Sequence, residues 1–256
     1  MKKGITKIPG ATIGILSGMG PLAGSDLLQK VLAYAAHAYG AVDDAEYPDI
    51  LLVSHGFEGF DAQGTLGNGL EQQLQQVISQ LQAGGSSIAG IACNTAHIYL
   101  ESLQRSTTVP LVNLPMETAK AAARHQGNFL LLTSHAAREA GLYPAALTAQ
   151  RVSFTELNDH EQQLTDEVIE LVMAHKLAEA GQKITTLVAG HAGQVDGIIA
   201  GCTELPIAFD HSTATAGKQY ISSTHVLAEA LVDACYAGTA KPAVSVDFSQ
   251  NAQMVG

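Results

Sequence analysis

Two cysteines set in matching surroundings are the feature of this 256-residue chain whose type and spacing point to chemistry. Cys93 ends the apolar run 87–92 and is followed by Asn94 and Thr95. Cys202 ends the run 197–201 and is followed by Thr203 and Glu204, 109 residues further on. In both places a strand-like segment runs into Cys, a polar residue, and then Thr or Glu at the opening of a helical pattern. A thiol at a helix N-terminus meets free backbone N–H groups and the positive end of the helix dipole, so its pKa is expected to fall below about 8.5. The N–H groups of Asn94, Thr95, Thr203 and Glu204 can also hold a carboxylate without a cationic side chain. Two such thiols on facing lobes make an acid–base pair. One removes a proton from carbon while the other returns a proton to the opposite face, with roles exchanged for the mirror-image substrate. Inversion at the α-carbon of a small amino acid needs this two-sided arrangement, because a single thiol cannot reach both faces. Cys235, beside Val232 and Ala234, reads as a packing residue.

The elements that position the thiols follow from hydrophobic periodicity. Segments 12–17, 49–54 and 87–93 predict short buried strands, separated by helical patterns at 22–38, 69–82 and 95–104. The order repeats as strand 128–133, helix 136–148, strand 151–156, one long helix 161–180, a helical stretch 183–194 and strand 197–202. Alternation of this kind predicts an α/β fold with parallel sheets covered on both faces. The repeated Cys pattern, and the likeness of 13–20 to 129–136, predict two pseudo-symmetric lobes with the active site between them. The first lobe is read as 1–115 plus 222–256, its final helix at 224–236 returning to it, and the second as 116–221. In parallel sheets ligands sit beyond the C-terminal strand ends, where both cysteines fall. The segment 237–256 reads as irregular.

The formal charge of -11, with 13 Lys and Arg against 24 Asp and Glu, argues against nucleic acid as a partner. No stretch approaches 18 consecutive apolar residues, and the Gly- and Pro-studded N-terminus is unlike a signal peptide, so a cytoplasmic protein with no membrane partner is expected. Three cysteines in such a compartment read as free thiols.

The stretches Gly18-Met19-Gly20-Pro21-Leu22-Ala23, Cys93-Asn94-Thr95-Ala96-His97 and Gly201-Cys202-Thr203-Glu204 resemble, in order and separation, the signature segments of aspartate/glutamate racemases. Glu204, where glutamate racemases usually have His, resembles the aspartate branch. The resemblance, over about 12–235, implies two α/β lobes, aspartate or glutamate as the substrate, proton exchange by Cys93 and Cys202, no pyridoxal phosphate or metal, and a homodimer. It also implies that Met19 lines the substrate pocket and that Lys176, close to a substrate lysine of the family, takes a side-chain carboxylate. The second-strand loop lacks the arginine of archaeal-type relatives, which leaves Gln63 as the polar group there. The family's Thr after Ala23 is replaced by Gly24, and its Gly-Thr after Thr133 by Ser134-His135.

Other candidates rest on the residues themselves. Asn94, Thr95 and Thr203 can hydrogen-bond a substrate, although N-caps have the same composition. Thr133 occupies the equivalent strand end of the second lobe. His97, one helical turn from Cys93, and Glu204, two residues from Cys202, are placed to tune the thiols. Arg138 is a second candidate for a side-chain carboxylate. Maleate isomerisation, hydantoin racemisation or amino-acid sensing on the same fold are the alternatives.

Overall fold

Short β-branched runs alternating with amphipathic segments build two parallel sheets. The computed structural model describes residues 6–59, 67–215 and 217–237. Its first half contains β1 (Thr6–Lys7), β2 (Thr12–Ser17), α1 (Pro21–Tyr34), β3 (Asp49–Ser54), α2 (Leu70–Ala83), β4 (Ile88–Ile91), α3 (Leu100–Arg105) and α4 (Leu114–Ala122). The second half contains β5 (Asn128–Leu132), α5 (His135–Glu139), α6 (Leu142–Ala149), β6 (Ser153–Glu156), α7 (Asp159–Met173), α8 (Leu177–Ala189), β7 (Gly197–Ala200), α9 (Leu205–Asp210), β8 (Gln219–Ser222), α10 (Ser223–Asp233) and β9 (Tyr236–Ala237). No helix among the described residues is long and apolar enough to cross a membrane.

The first sheet has the order β3-β2-β4 and is extended past β4 by a parallel bridge from Ala89 to Leu111. The second has the order β6-β5-β7-β8. Every pairing within the two sheets is parallel, and β2, β4, β5 and β7 are buried along most of their length. The sheets are thus two copies of one arrangement, with β2 corresponding to β5 and β4 to β7. β1 and β9 pair antiparallel away from both.

The helices that follow the last strand of each sheet pack on the opposite sheet. Leu227, Leu231 and Val232 of α10 share a core with Ile13 and Ile15 of β2 and Val31 of α1. Ala119 and Ala122 of α4 join Phe129 of β5, Tyr143 of α6 and Ile199 of β7. Gly90 makes room for α10: a Cβ there would lie 2.9 Å from Leu227 and 3.0 Å from Leu231.

Two expected helices are broken. The span 161–180 is not one helix, because α7 ends at Met173 in a Schellman cap. His175 adopts φ 59, its N–H bonds to the Val172 carbonyl, and the Lys176 N–H bonds to the Leu171 carbonyl. No glycine or proline marks this turn, so helical periodicity runs through it. The span 136–148 divides into α5 and α6 at Gly141, whose φ of 63 is left-handed.

Candidate active site

Cys93 lies two residues beyond β4 and Cys202 two beyond β7, at equivalent strand ends. Both thiols are free and nearly enclosed, at 4% and 6% exposure. Met19 is buried against the Cys93 side, in one cluster with Leu16 and Ala96. Cys202 belongs to the core that contains Leu205, against which partly buried Leu22 and Met173 pack.

The residue two after each cysteine reaches across to the turn following the first strand of the other sheet. The Thr95 hydroxyl lies 2.8 Å from that of Ser134, just beyond β5. Glu204 Oε1 accepts the Gly20 N–H at 3.2 Å, just beyond β2. These contacts apply the pseudo-symmetry of the sheets to the site itself, so that each thiol's flanking residue is anchored on the opposite lobe.

The surroundings of the two thiols differ in charge. Cys202 Sγ donates to Glu204 Oε2 at 3.1 Å, and the Thr203 hydroxyl lies 3.1 Å from the same oxygen. Burial pushes the Glu204 carboxyl above the usual carboxylate range, against hydrogen bonds from Cys202, Gly20 and Thr203. At Cys93 the groups that favour the thiolate are instead the N–H groups of Ala96 and Thr95 and the Thr95 hydroxyl.

Both thiols are nevertheless raised, contrary to the expectation from their position at helix starts. Burial, and then the Glu204 carboxylate, push Cys93 up to about 12. The same two causes take Cys202 well above the ordinary thiol range, with a further rise from Cys93. The N–H groups of Thr95, Ala96 and Glu204 do favour the thiolates, but desolvation outweighs them.

His97 does not face the thiol. Its Nδ1 lies 2.9 Å from the Cys93 carbonyl and its Nε2 3.2 Å from the Val112 carbonyl, and burial lowers its pKa. It fixes the backbone that carries Cys93. Asn94 is also held structurally: its Oδ1 accepts the Tyr143 hydroxyl at 2.6 Å and its Nδ2 donates to Ser223 at 3.1 Å. Thr133 is buried at its strand end, its carbonyl accepting from Gln162 at 2.9 Å.

Neither cation candidate is buried. Lys176 is exposed in the turn between α7 and α8, and its ammonium has no partner among the described residues. Arg138 on α5 pairs with exposed Asp159 at 3.1 Å. Gln63 lies outside the described residues. Sequence reasoning missed Tyr143, Ser223 and the link from Ser134 to Thr95. Tyr143 sits within a helix and carries no local signal, whereas Ser134, which accepts the Ala137 N–H, was legible as an N-cap.

The comparisons with known proteins bear on the family and the fold. The family model for Asp/Glu/Hydantoin racemase matches residues 16–231. The chain is 26% identical over 200 residues to the broad specificity amino-acid racemase RacX of Bacillus subtilis, covering 78% of this chain and 88% of that protein. Its fold matches the aspartate racemase of Picrophilus torridus with a TM-score of 0.76 at 24% identity, over 88% of this chain and 94% of that one. An aspartate racemase homologue from Pyrococcus horikoshii gives 0.70 at 21% identity, over 88% and 98%. Glutamate racemase from Bacillus anthracis gives 0.63 at 16%, over 88% and 81%. With matched thiols at equivalent strand ends of two like sheets, and a family match spanning most of its length, the chain belongs to the Asp/Glu/hydantoin racemase family and is an isomerase.

Proposed function

We propose that the protein racemises free α-amino acids by two-base proton exchange, Cys93 serving one face of the α-carbon and Cys202 the other. The observation that supports this most directly is the pair of buried thiols at equivalent strand ends, each flanked by a residue anchored on the opposite lobe. In each turnover one thiolate takes the α-proton and the other thiol gives a proton to the opposite face. Written this way, the transfer needs neither pyridoxal phosphate nor a metal. The substrate's ammonium stabilises the attacking thiolate, and the polar groups of Thr95, Thr203 and Asn94 orient its carboxylate.

The substrate range follows from charge. The Glu204 carboxyl lies beside Cys202, while Lys176 is exposed and Arg138 is paired with Asp159. The site therefore suits amino acids with uncharged side chains, while aspartate or glutamate calls for Lys176 to fold in over the α7–α8 turn. α-Proton exchange in heavy water, followed by NMR over both enantiomers of a panel of amino acids, tests the reading. Exchange and inversion of at least one amino acid are expected. Cys93→Ser and Cys202→Ser should each slow inversion by at least about a hundredfold, the scale of a lost general base. A single variant that racemises at the unmodified rate overturns the assignment.

A further inference from the structure

Tyr143 packs on the residue directly before one thiol and is hydrogen-bonded to the residue directly after the other. Its ring, fully buried on α6, lies against Gly201. A Cβ at Gly201 would stand 2.8 Å from ring Cε2 and 2.9 Å from Cζ, so a glycine before Cys202 is what lets the ring and the backbone meet. At its far end the Tyr143 hydroxyl donates to Asn94 Oδ1 at 2.6 Å, and Asn94 Nδ2 donates to Ser223 Oγ at 3.1 Å. Burial pushes the phenol above its ordinary range, so it keeps the proton that it donates. Asn94 lies just beyond β4 of the first sheet, whereas Tyr143 is on α6 and Ser223 directly follows β8 of the second. All three are buried, and polar groups so placed are costly to leave without partners. One aromatic ring therefore spans from the Cys202 side of the site to the Cys93 side.

We propose that Tyr143 is a positioning residue that sets the spacing of Cys93 and Cys202 across the substrate: its ring seats the backbone before Cys202 and its hydroxyl seats Asn94 after Cys93. This rests on the two-thiol reading above. In that reading the C–H bond breaks and its proton passes to the thiolate on one face, while the S–H bond of the thiol on the other face breaks and its proton passes to the carbon. The proton count of the enzyme is unchanged. Both transfers need reacting atoms about 3–3.5 Å apart, and a misplacement of about 1 Å costs about a hundredfold. Without the Tyr143 hydroxyl, Asn94 Oδ1 loses its donor inside the protein, and the amide turns or its segment shifts to find another. The two transfers then come apart. A proton removed by one thiol is returned by that same thiol, after exchange with water, because its counterpart is out of reach.

The test is Tyr143→Phe in the full-length protein, which keeps the ring against Gly201 and removes the hydroxyl. The variant is incubated in heavy water with one enantiomer of an amino acid that the unmodified protein inverts. NMR follows deuterium entering the α-carbon, and chiral chromatography follows inversion. kcat should fall about ten- to a hundredfold with KM little changed. The ratio of deuterium entering the starting enantiomer to inversion should rise several-fold. A loss of folded protein lowers both processes and leaves their ratio alone, so the ratio reports the spacing of the thiols. Ser223→Ala takes the other hydrogen bond from Asn94; it should move the ratio the same way, and it carries the test if Tyr143→Phe does not fold. An unmoved ratio in a folded Tyr143→Phe overturns the proposal. Amide hydrogen exchange read by mass spectrometry separates this proposal from the function it rests on, because it needs no substrate. Peptides covering residues 93–97 should exchange faster in Tyr143→Phe. That result in a chain that inverts no amino acid would leave the tie between Tyr143 and Asn94 standing and remove the function. Intact inversion with an unmoved ratio and unmoved amide exchange would remove the tie alone.

Discussion

Glu204 is the side chain whose charge matters most to both thiols, because it stands among the causes that raise each of them. The thiolate is the reactive form, so a raised thiol pKa places the rise of activity at higher pH. Glu204→Gln keeps an oxygen for the Gly20 N–H and removes the charge. Both thiol pKa values then fall, and the acid limb of kcat/KM should move to lower pH by about one unit, the scale of one nearby like charge. A pH–rate profile of the variant checks this. An unmoved limb would mean that the carboxylate does not act on the ionisation that limits the reaction.

At the scale of elements, the turn between α7 and α8 shows how one residue's conformation ends a helix. His175 carries a side chain at φ 59, where a Cβ crowds the following carbonyl at a cost of roughly 1–2 kcal/mol. Its two cap hydrogen bonds hold it there. Glycine accepts this conformation freely, so His175→Gly should raise unfolding stability by about 1 kcal/mol, less the entropy glycine adds to the unfolded chain. Urea denaturation measures it, with activity as the control that the turn has not moved. The same turn presents Lys176 to solvent. If Lys176 carries aspartate's second carboxylate, Lys176→Ala should cost about 2–4 kcal/mol in kcat/KM for aspartate, the cost of a desolvated carboxylate left without its partner. Alanine or asparagine turnover should be nearly unaffected. Arg138→Ala gives the same comparison for the alternative cation, and if both variants treat aspartate normally, no cation of this chain recognises a second carboxylate.

Over the whole molecule, the crossing of α4 and α10 ties the two sheets into one folding unit. α10 follows the second sheet yet buries Leu231 completely in the core of the first. Leu231→Ala leaves a cavity between the sheets and should cost about 2–5 kcal/mol, the range for large-to-small core changes. Because that helix links the halves, thermal unfolding followed by circular dichroism and by tyrosine fluorescence should shift as one transition. Two separate transitions would show that the sheets unfold independently. The enclosure of the thiols is a property at this scale too. At 4% and 6% exposure, both are almost wholly covered.

The sequence alone determined the alternation of strands and helices, the duplicated Cys pattern and the position of both thiols at C-terminal strand ends, because each is a local pattern written in 2.0 and 3.6 periodicity or in adjacent residues. It did not show the breaks at His175 and Gly141: the first is a left-handed turn at a residue with no such preference, the second a single glycine inside an otherwise continuous helical pattern. Nor did it show the thiols' ionisation. Helix-start geometry is local and argued for lowered values, whereas the desolvation of both thiols, and the effect of Glu204 on Cys93, arise only when distant segments close over each other. Tertiary structure likewise turned His97 away from the Cys93 sulfur onto backbone carbonyls, brought Tyr143 onto Asn94 from 49 residues away, and joined Ser134 to Thr95 across 39. Contacts between residues so far apart in the chain depend on where the lobes meet, and no short stretch of sequence contains that information.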